Sequence, residues 1–566
     1  MSLNTLFGAL VFVLLYNIFF FGVSLNIGFG FLFLLLNCYF LFTKNSNNNL
    51  TFGIICSTLA IIFAFLFGFR DSGVVQVINF LLAVFLTFSA IYFYKNKTPF
   101  HFSVLALIFT PLSLVLGVLS TLLGINKLET PTLKIGNEET SKGITKGLLI
   151  AVPLFLILLF ILTQADPVFN KFTSDFFGNI GERGAVSFVI FTVLFILGIG
   201  GITELFKSKL TEDTIGNSKI HELSIILGSI STLFGLFILV QFNYLFSNVG
   251  ERGLHKLGIQ SLTFSEYINK GFFELLIASS IAVMVLVYTF RSLHKLNSKK
   301  LIQFFAGLLT IETGPLLLSA AKRDFMYADE HGLTRARIFG FLFLIWLMLI
   351  LITFFVRVFI NFKPATLFTS FAVITLFSAL MLSFINVDEL IAIRYKPTVN
   401  NEIDYVYIST LSTDGYLGWK DALHDSIVYL QNNQKDLDIS SEDSRRRMYN
   451  LATLGNLSNT GTFLILKYGT QEEIVDWFKD ENLEWMSKFK ESGDVNALPE
   501  DVRGQRVWQD FNFSEYQAYR YIVENKDLFF QIPQLYKQTL EQTQQVPSAV
   551  RENTPIDRSL DTPLNY

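Results

Sequence analysis

Residues 338–361 read IFGFLFLIWLMLILITFFVRVFIN, and this stretch decides the fold. It carries no charged side chain before Arg357, and a helix of this length crosses the roughly 30 Å of hydrocarbon in a bilayer. Comparable apolar stretches recur through residues 1–385, and a polar segment follows them. The sequence therefore predicts an all-α protein: a polytopic helical membrane domain, then a small, mostly helical soluble C-terminal domain and a polar tail.

Composition and charge agree with this division. The 566 residues are 51% hydrophobic and include 61 Phe, and the mean hydropathy is +0.46, which is too apolar for a soluble chain of this length. Residues 386–566 hold 18 Lys and Arg against 29 Asp and Glu, whereas the preceding residues hold 26 against 18. Such an acidic segment repels nucleic acid and anionic lipid. The acidic residues either form an ordinary solvated surface or bind a basic protein partner.

Hydropathy divides the membrane part into about twelve spans. They lie at 5–22, 27–43, 51–69, 74–94, 100–124, 147–164, 186–206, 222–246, 272–290, 301–321, 338–361 and 366–385. The first has no basic region before it and no cleavage site after it, so we interpret it as a retained span. Both cysteines lie in apolar runs and the six histidines are scattered, so we expect no disulfide, metal site or cofactor.

Beyond the last span the pattern becomes that of a small helical domain. Helical periodicity covers residues 421–434, 440–454, 472–490 and 513–542, which predicts an acidic extramembrane domain at 386–541. Four tryptophans lie in or beside these segments and form either its core or a docking surface: Trp419, Trp477, Trp485 and Trp508. Residues 542–566 are predicted to be an extended polar tail.

The positive-inside rule decides the orientation narrowly. With the N-terminus outside, 14 cations fall in inner loops, Arg70 among them, and 12 in outer loops. Residues 291–300 are basic without any acidic residue, which favours a cytoplasmic position for them, whereas the four cations of residues 322–337 argue against this orientation. The sequence thus predicts a bacterial inner-membrane protein with its C-terminal domain in the periplasm, because outer-membrane spans are barrels.

Two features could form a polar site. Glu312 lies mid-span, where an ionised carboxylate costs at least ~2–3 kcal/mol, so it should face protein or water. It either relays protons or cations, or it is a neutral group hydrogen-bonded to another span through Gln241 or Asn243. The second feature is a repeat, NIGERG at 179–184 and NVGERG at 248–253. Its charged pairs either frame one site or belong to separate turns: Glu182, Arg183, Glu251 and Arg252.

The loop at residues 319–337 is rich in cations. It contains Lys322, Arg323, Arg335 and Arg337. These either grip phosphate or lipid headgroups, or pair within the loop with Asp324, Asp329 and Glu330.

The same loop resembles the pattern S-A-x-x-R-x-x-x-Y-x-x-x-x-G-L-T-x-x-R of an uncharacterised bacterial membrane family, known as domains of unknown function 4153 and 4173. The matching positions are Arg323, Tyr327, Gly332, Leu333, Thr334 and Arg337. Further likenesses involve Asp166 and Pro167, Glu266 and Tyr267, and Asp388, the last followed by Leu-Ser-Thr-Asp at 411–414. The departures are Phe264, residues 268–270 and Asp324. The family has no accepted activity, so the resemblance implies a membrane fold and no function.

Three functions compete. The first is a non-enzymatic envelope scaffold, or a subunit of a larger membrane complex, that contacts lipids and binds proteins through residues 386–566. The second is a transporter or channel that uses Glu312. The third is a lipid- or glycan-modifying enzyme using Asp166, Glu182, Glu251 or His331. The sequence contains no nucleophile-base pair that supports an enzyme, so we favour the first.

Overall fold

The computed structural model describes residues 13–14, 16–17, 26–42, 50–95, 138–177, 217–245, 271–293, 300–359, 364–399, 402–432, 441–479, 484–494, 497–498 and 506–544. The chain forms two compact units. The first contains Met1–Lys97, His331–Arg335 and Ala379–Tyr566, and the second contains Thr98–Glu330 and Ala336–Ser378. The boundary predicted at residue 385 separates the transmembrane domain from the extramembrane domain. It is a different division from that between the two compact units, and it stays a prediction.

Long apolar helices build the second unit. They are α4 (Glu138–Ala165), α5 (Pro167–Phe177), α6 (Asn217–Leu245), α7 (Phe272–Leu293), α8 (Lys300–His331), α9 (Arg335–Phe359) and most of α10 (Pro364–Phe384). Leu158, Phe234, Phe237, Leu275 and Phe354 are buried in one continuous core between these helices. Gln241 near the end of α6 lies beside Asp166 at the end of α4, so these two helices end on the same side of the unit.

Three helices form the N-terminal part of the first unit. They are α1 (Ile27–Phe42), α2 (Leu50–Leu66) and α3 (Gly73–Lys95). Buried polar pairs connect them inside an otherwise apolar bundle: Asn37 Nδ2 donates to Thr87 Oγ1 at 3.0 Å, and the Ser57 and Tyr94 hydroxyls lie 2.8 Å apart. The contact between Ser57 and Tyr94 requires α2 and α3 to run antiparallel.

The C-terminal domain completes the first unit. Its elements are α11 (Val387–Ile393), β1 (Thr398–Val399), β2 (Glu402–Ile403), α12 (Tyr405–Ser409), a 3-10 helix (Thr413–Gly418), α13 (Trp419–Asn432), α14 (Ser441–Tyr468), α15 (Gln471–Trp477), α16 (Glu484–Ser492), a second 3-10 helix (Trp508–Asp510), α17 (Phe513–Glu524), α18 (Lys526–Phe529) and α19 (Ile532–Gln544). The strands form an antiparallel pair with Thr398 opposite Ile403. Trp419 and Trp477 are buried in its core and Trp485 packs against it, whereas Trp508 is exposed.

The all-α class is confirmed, but a count of about twelve spans is not. Five described helices are long and apolar enough to cross a membrane, and six if the bent pair formed by α10 and α11 is one span. Three further apolar helices are shorter. The predicted spans at 100–124 and 186–206, and nearly all of 5–22, lie outside the described residues. The protein has the helices of a multi-pass membrane protein.

One detail of the predicted topology is wrong. It placed Arg70 in the cytoplasm and the segment after residue 385 outside. In the first unit the backbone N–H groups of Asp71 and Ser72 both donate to Asp414 Oδ2 at 2.9 Å. Residues that share such bonds lie on one side of a membrane. An even number of crossings must therefore separate Arg70 from Asn386, whereas the predicted spans between them number nine.

Candidate functional site

Asp166, at the junction of α4 and α5, is completely buried. Its Oδ1 accepts hydrogen bonds from the backbone N–H groups of Val168 and Phe169, at 3.0 and 2.9 Å, and thereby caps the start of α5. Its Oδ2 accepts from Arg323 Nη2 at 2.8 Å and from Gln241 Nε2 at 3.1 Å. Three residues singled out in the sequence thus form one network, which we call the Asp166 network.

Gly271 gives the Arg323 side chain its space. Arg323 Nη1 donates to the carbonyl oxygen of Ala165 at 2.6 Å. A Cβ at position 271 would lie 1.8 Å from that Nη1 and 2.2 Å from that oxygen. The φ of Gly271 is +100°, a conformation that side chains with a Cβ rarely adopt. The network therefore requires glycine at this position.

A second motif arginine lies among aromatic rings. The Arg337 guanidinium is 4.1 Å from the centroid of the Tyr327 ring, and 5.2 and 5.6 Å from those of Phe272 and Phe273. Its Nη1 lies 3.6 Å from Asp324 Oδ1. Cation–π attraction and the ion pair hold the charge of Arg337 in a largely buried position. Asp324, a departure from the family pattern, is its acidic partner.

Glu312 faces protein, as the sequence predicts for a mid-span carboxylate. It lies on α8 against α6, beside Ser231 and Gly235. Gln241, considered above as its partner, donates to Asp166 instead. The Asn243 side chain lies outside the described residues.

The remaining motif residues of the α8–α9 loop belong to the first unit. Gly332 has φ +72°, and a Cβ there would lie 2.2 Å from the carbonyl oxygen of Lys396. The Leu333 N–H donates to the carbonyl oxygen of Tyr395 at 3.1 Å. These contacts hold the loop against the segment that follows α11. Thr334 lies in the same turn, and the structure assigns it no further role.

Asp388 binds the next residue of this loop. Arg335 donates from Nε to Asp388 Oδ1 at 2.7 Å and from Nη2 to Oδ2 at 2.5 Å, a bidentate pair with a fully buried carboxylate. Ser412 adds its backbone N–H at 3.1 Å and its hydroxyl, both donating to Asp388 Oδ2. The motif aspartate thereby joins the α8–α9 loop to the start of the C-terminal domain.

A second buried network joins that domain to the loop between α2 and α3. Asp414 Oδ2 accepts from the backbone of Asp71 and Ser72, and its Oδ1 accepts from the Ser514 hydroxyl at 2.6 Å. In return, Thr413 donates from its backbone N–H and its hydroxyl to Asp71 Oδ2, each at 3.0 Å. Each loop thus supplies a carboxylate that accepts backbone donors from the other.

Arg70 and Asn512 extend this network. Arg70 donates from Nη2 to the carbonyl oxygen of Phe384 at 2.7 Å, and its Nη1 lies 3.6 Å from Asp414 Oδ1. Asn512 Nδ2 donates to the carbonyl oxygen of Arg70 at 3.3 Å. We call the set Arg70, Asp71, Asn512, Thr413, Asp414 and Ser514 the docking network. Burial, and then the negative charge of Glu515, raise the pKa of Asp71 to about 7.

A buried lysine lies next to the docking network. Lys467 Nζ on α14 lies 2.7 Å from Glu515 Oε2 and 3.0 Å from Asp510 Oδ2, and all three side chains are nearly inaccessible. Tyr468 donates to the same Glu515 oxygen at 2.8 Å. Burial raises the pKa of Glu515 and of Asp510, although the Lys467 charge opposes the shift. This cluster fixes α17 against α14.

Among the described residues, these arrangements position chain segments relative to one another. Asp166, Asp388 and Asp414 each accept several hydrogen bonds from neighbours, so none is a general base open to a substrate. Ser412 donates to Asp388, whose two carboxylate oxygens also accept hydrogen bonds from the Arg335 guanidinium. Across the described ranges, no group of three or more His, Cys, Asp and Glu side chains could hold a metal ion.

Several predicted residues lie outside the described part of the chain. They are Glu182, Arg183, Glu251, Arg252, Glu266 and Tyr267. Pro167 occupies the first turn of α5, where its missing N–H costs no hydrogen bond.

Sequence reasoning missed the partners of the motif residues. Asp71 and Gly271 were not singled out in the sequence. Arg335 was noted only as one of four loop cations, and Asp414 only as the end of the Leu-Ser-Thr-Asp stretch. The short segment Arg70-Asp71-Ser72 between two apolar runs was the available signal for the docking network.

Comparison with known proteins gives a family and no function. A family model described as Domain of unknown function (DUF4153) matches residues 54–421, more than half of the chain. It covers Asp71, Asp166, Arg323, Asp388 and Asp414, but not Asn512 or Ser514. The match confirms the first of the two family numbers suggested by the sequence and does not show the second. No curated protein and no solved structure matches the chain.

Proposed function

Since the chain belongs to the DUF4153 family of unknown function and has the helices of a multi-pass membrane protein, we propose that it is a non-enzymatic scaffold of the bacterial inner membrane. In this proposal the C-terminal domain binds a protein partner, and the membrane helices hold that domain in a fixed position. The observation that carries the proposal is the docking network, which joins the C-terminal domain to the loop between α2 and α3.

The energetics of the network support a fixed domain. Asp414 is buried, and separating the two loops would remove its bonds to Asp71, Ser72 and Ser514 together. A hydrogen bond to a charged group contributes about 1.5–3 kcal/mol, and a buried charge left without donors costs more. A domain held by a simple linker needs no such bonds, whereas a platform that presents a binding surface at a set height and angle does.

The state of the buried charges supports a scaffold over an enzyme. Arg323, Arg335 and Arg337 could have bound phosphate, but each faces a carboxylate of the protein: Asp166, Asp388 and Asp324. These pairs are internal cross-links between helices and loops. Breaking a buried pair by removing one partner typically costs about 3–5 kcal/mol.

For the orientation we propose that the C-terminal domain lies in the periplasm. A single span, α8, connects the two segments that decide this orientation. Residues 291–300 precede α8 and carry four cations and no acidic residue, which favours the cytoplasm. The loop after α8 is bonded to Tyr395 and Asp388. One crossing therefore separates the basic loop from the C-terminal domain, whatever the total number of spans.

The charge of the C-terminal domain suggests the kind of partner. Residues 386–566 carry 29 acidic and 18 basic residues, and this acidic surplus complements a basic protein surface. Glu472, Glu491 and Asp527 are exposed acidic positions on different helices, so they can be altered without touching the docking network.

Quantitative affinity purification from native membranes tests the scaffold proposal. We expect a stable partner with the wild type that dissociates at high salt, since exposed charges are screened beyond about 3 Å at 1 M salt. Glu472→Lys with Glu491→Lys and Asp527→Lys should lose that partner while the protein itself stays folded. A matched triple change to Gln should lose less. Recovery of the protein alone, with substrate-dependent stability, would contradict the scaffold and support transport.

The second candidate is a transporter or channel, and one observation favours it. Among the described helices of the second unit, Ser279 Oγ and Ser319 Oγ are buried without a hydrogen-bond partner, and so is Glu312 Oε2. Unsatisfied polar atoms inside an apolar bundle are costly and mark places that water or an ion can occupy. This candidate depends on Glu312 being able to ionise, and Glu312→Gln removes that ability while keeping the shape of the side chain.

A further inference from the structure

One segment of the C-terminal domain is bonded directly to the ends of two apolar helices. The N–H groups of Asn26 and Ile27, at the start of α1, donate to the carbonyl oxygens of Gln509 and Phe511 at 3.1 and 3.2 Å. The Phe513 N–H donates to the carbonyl oxygen of Gly68, just after α2, at 2.8 Å. These bonds fix residues 508–513 at the depth where the two helices end.

Two large aromatic side chains of this segment contact rings within α1 and just after α2. The Trp508 ring meets the Phe31 ring edge-on, with centroids 5.4 Å apart, and the Phe513 ring lies 5.6 Å from that of Phe69. Phe31 is four residues inside α1, so Trp508 reaches roughly 6 Å past the helix end. Trp508 is still 52% exposed and Phe513 44% exposed.

The exposed surface beside these rings is apolar. Phe31 and Leu35, one turn apart on α1, are both exposed, and so is Phe69 at the end of α2. Helices this apolar expose such side chains to lipid. Trp508 and Phe513 therefore continue the exposed apolar surface of the helices onto the C-terminal domain. Tryptophan is enriched at the membrane–water boundary because its apolar ring and its N–H prefer different sides of it.

We propose that Trp508 and Phe513 anchor the C-terminal domain in the bilayer interface, with lipid as the occupant of this aromatic surface. The anchor sets the tilt of the domain over the membrane, and the docking network sets its rotation around the helices. The inference requires that α1 and α2 lie in the membrane. It does not require the scaffold function, so its failure and that of the partner experiment are separate results.

Spin labels measure this placement directly. Cys38 and Cys56 are replaced by Ala, and single cysteines are introduced as Trp508→Cys, Phe513→Cys and, as a control, Glu524→Cys. Glu524 is exposed at the far end of α17, roughly 16 Å along the helix from Phe513. The full-length protein is reconstituted into phosphatidylcholine vesicles, and collision rates with oxygen and with a water-soluble nickel chelate are compared. Elution as a single symmetric species is required of each variant.

We expect the labels at 508 and 513 to collide several-fold more with oxygen than with nickel, and the label at 524 to show the reverse. Labels at 508 and 513 that match the control would overturn the anchor. Labels shielded from both reagents in native membranes would place a protein on this surface and overturn it as well. A second measurement avoids cysteine variants: bromine-bearing lipids should quench wild-type tryptophan fluorescence more than that of Trp508→Tyr.

Discussion

Gly271→Ala tests the packing of the Asp166 network. The new Cβ would lie 1.8 Å from Arg323 Nη1 and 2.2 Å from the carbonyl oxygen of Ala165, so both the guanidinium and the backbone must move. Displacing Arg323 breaks its buried ion pair with Asp166, which costs about 3–5 kcal/mol of folding stability. The φ of +100° adds about 1–3 kcal/mol of backbone strain for a residue with a Cβ. The expected loss of about 4–8 kcal/mol is comparable to the whole stability of a typical domain.

The assay is thermal unfolding of the purified protein in detergent, at one heating rate because membrane proteins often unfold irreversibly. At roughly 2–4 °C per kcal/mol for a larger domain, the melting temperature should fall by at least about 8 °C. Gly314→Ala is the matched control: it lies in α8, the helix of Arg323, and a Cβ there meets nothing within 4 Å. It should leave stability unchanged or raise it by about 0.5–1 kcal/mol.

The clash itself can be isolated. In a background of Arg323→Met with Asp166→Asn, the guanidinium is gone and the cap of α5 is kept. In that background Gly271→Ala should cost only the backbone strain and the contact with the Ala165 carbonyl oxygen. The stability losses of Gly271→Ala and of the background substitutions should therefore be strongly non-additive. A melting temperature for Gly271→Ala close to that of Gly314→Ala, or full additivity in the double background, would refute the reasoning.

The remaining predictions concern charge. Glu312→Gln should preserve abundance, assembly and function if Glu312 is structural, since Gln keeps shape and polarity; a fully assembled but inactive variant would favour the transporter. Asp71 has a pKa of about 7 when folded, above its unfolded value of about 3.9, so its contribution to stability is present at low pH and declines as pH rises. The wild type should therefore lose stability relative to Asp71→Asn between about pH 5 and 7, by at most ~1.4 kcal/mol per pH unit, in melting curves measured across that range. Parallel curves for the two proteins would contradict this.

The helices followed from the sequence because apolar length and periodicity are local properties. The side-chain contacts between distant segments could not be predicted in this way. Arg323 and Asp166 were both noted as motif residues, but they lie 157 positions apart, and only their ion pair in the fold joins them. Asp71 and Asp414, 343 positions apart, lie in short polar loops whose pairing no local pattern specifies. The predicted side of Arg70 relative to Asn386 was wrong because it depends on the number of spans counted between them. One span too many or too few reverses it.

The partners of Glu312 show a related limit. Hydropathy located the carboxylate and predicted that it faces protein or water and not lipid. Gln241 and Ser231 both lie on α6, roughly 15 Å apart along its axis, so choosing between them requires knowing how α6 is aligned along α8 and how it is rotated toward it. That rotation depends on packing, including the close approach at Gly235.

The docking network fixes the C-terminal domain to the loop between α2 and α3. Phe69→Cys with Phe513→Cys, in a chain lacking Cys38 and Cys56, measures this most directly, because these exposed rings lie 5.6 Å apart. Mild oxidation in native membranes should crosslink this pair nearly completely. Phe69→Cys with Glu524→Cys, whose partner lies roughly 16 Å farther along α17, should not crosslink. Failure of the first pair in well-folded protein, or equal crosslinking of both pairs, would contradict a fixed domain.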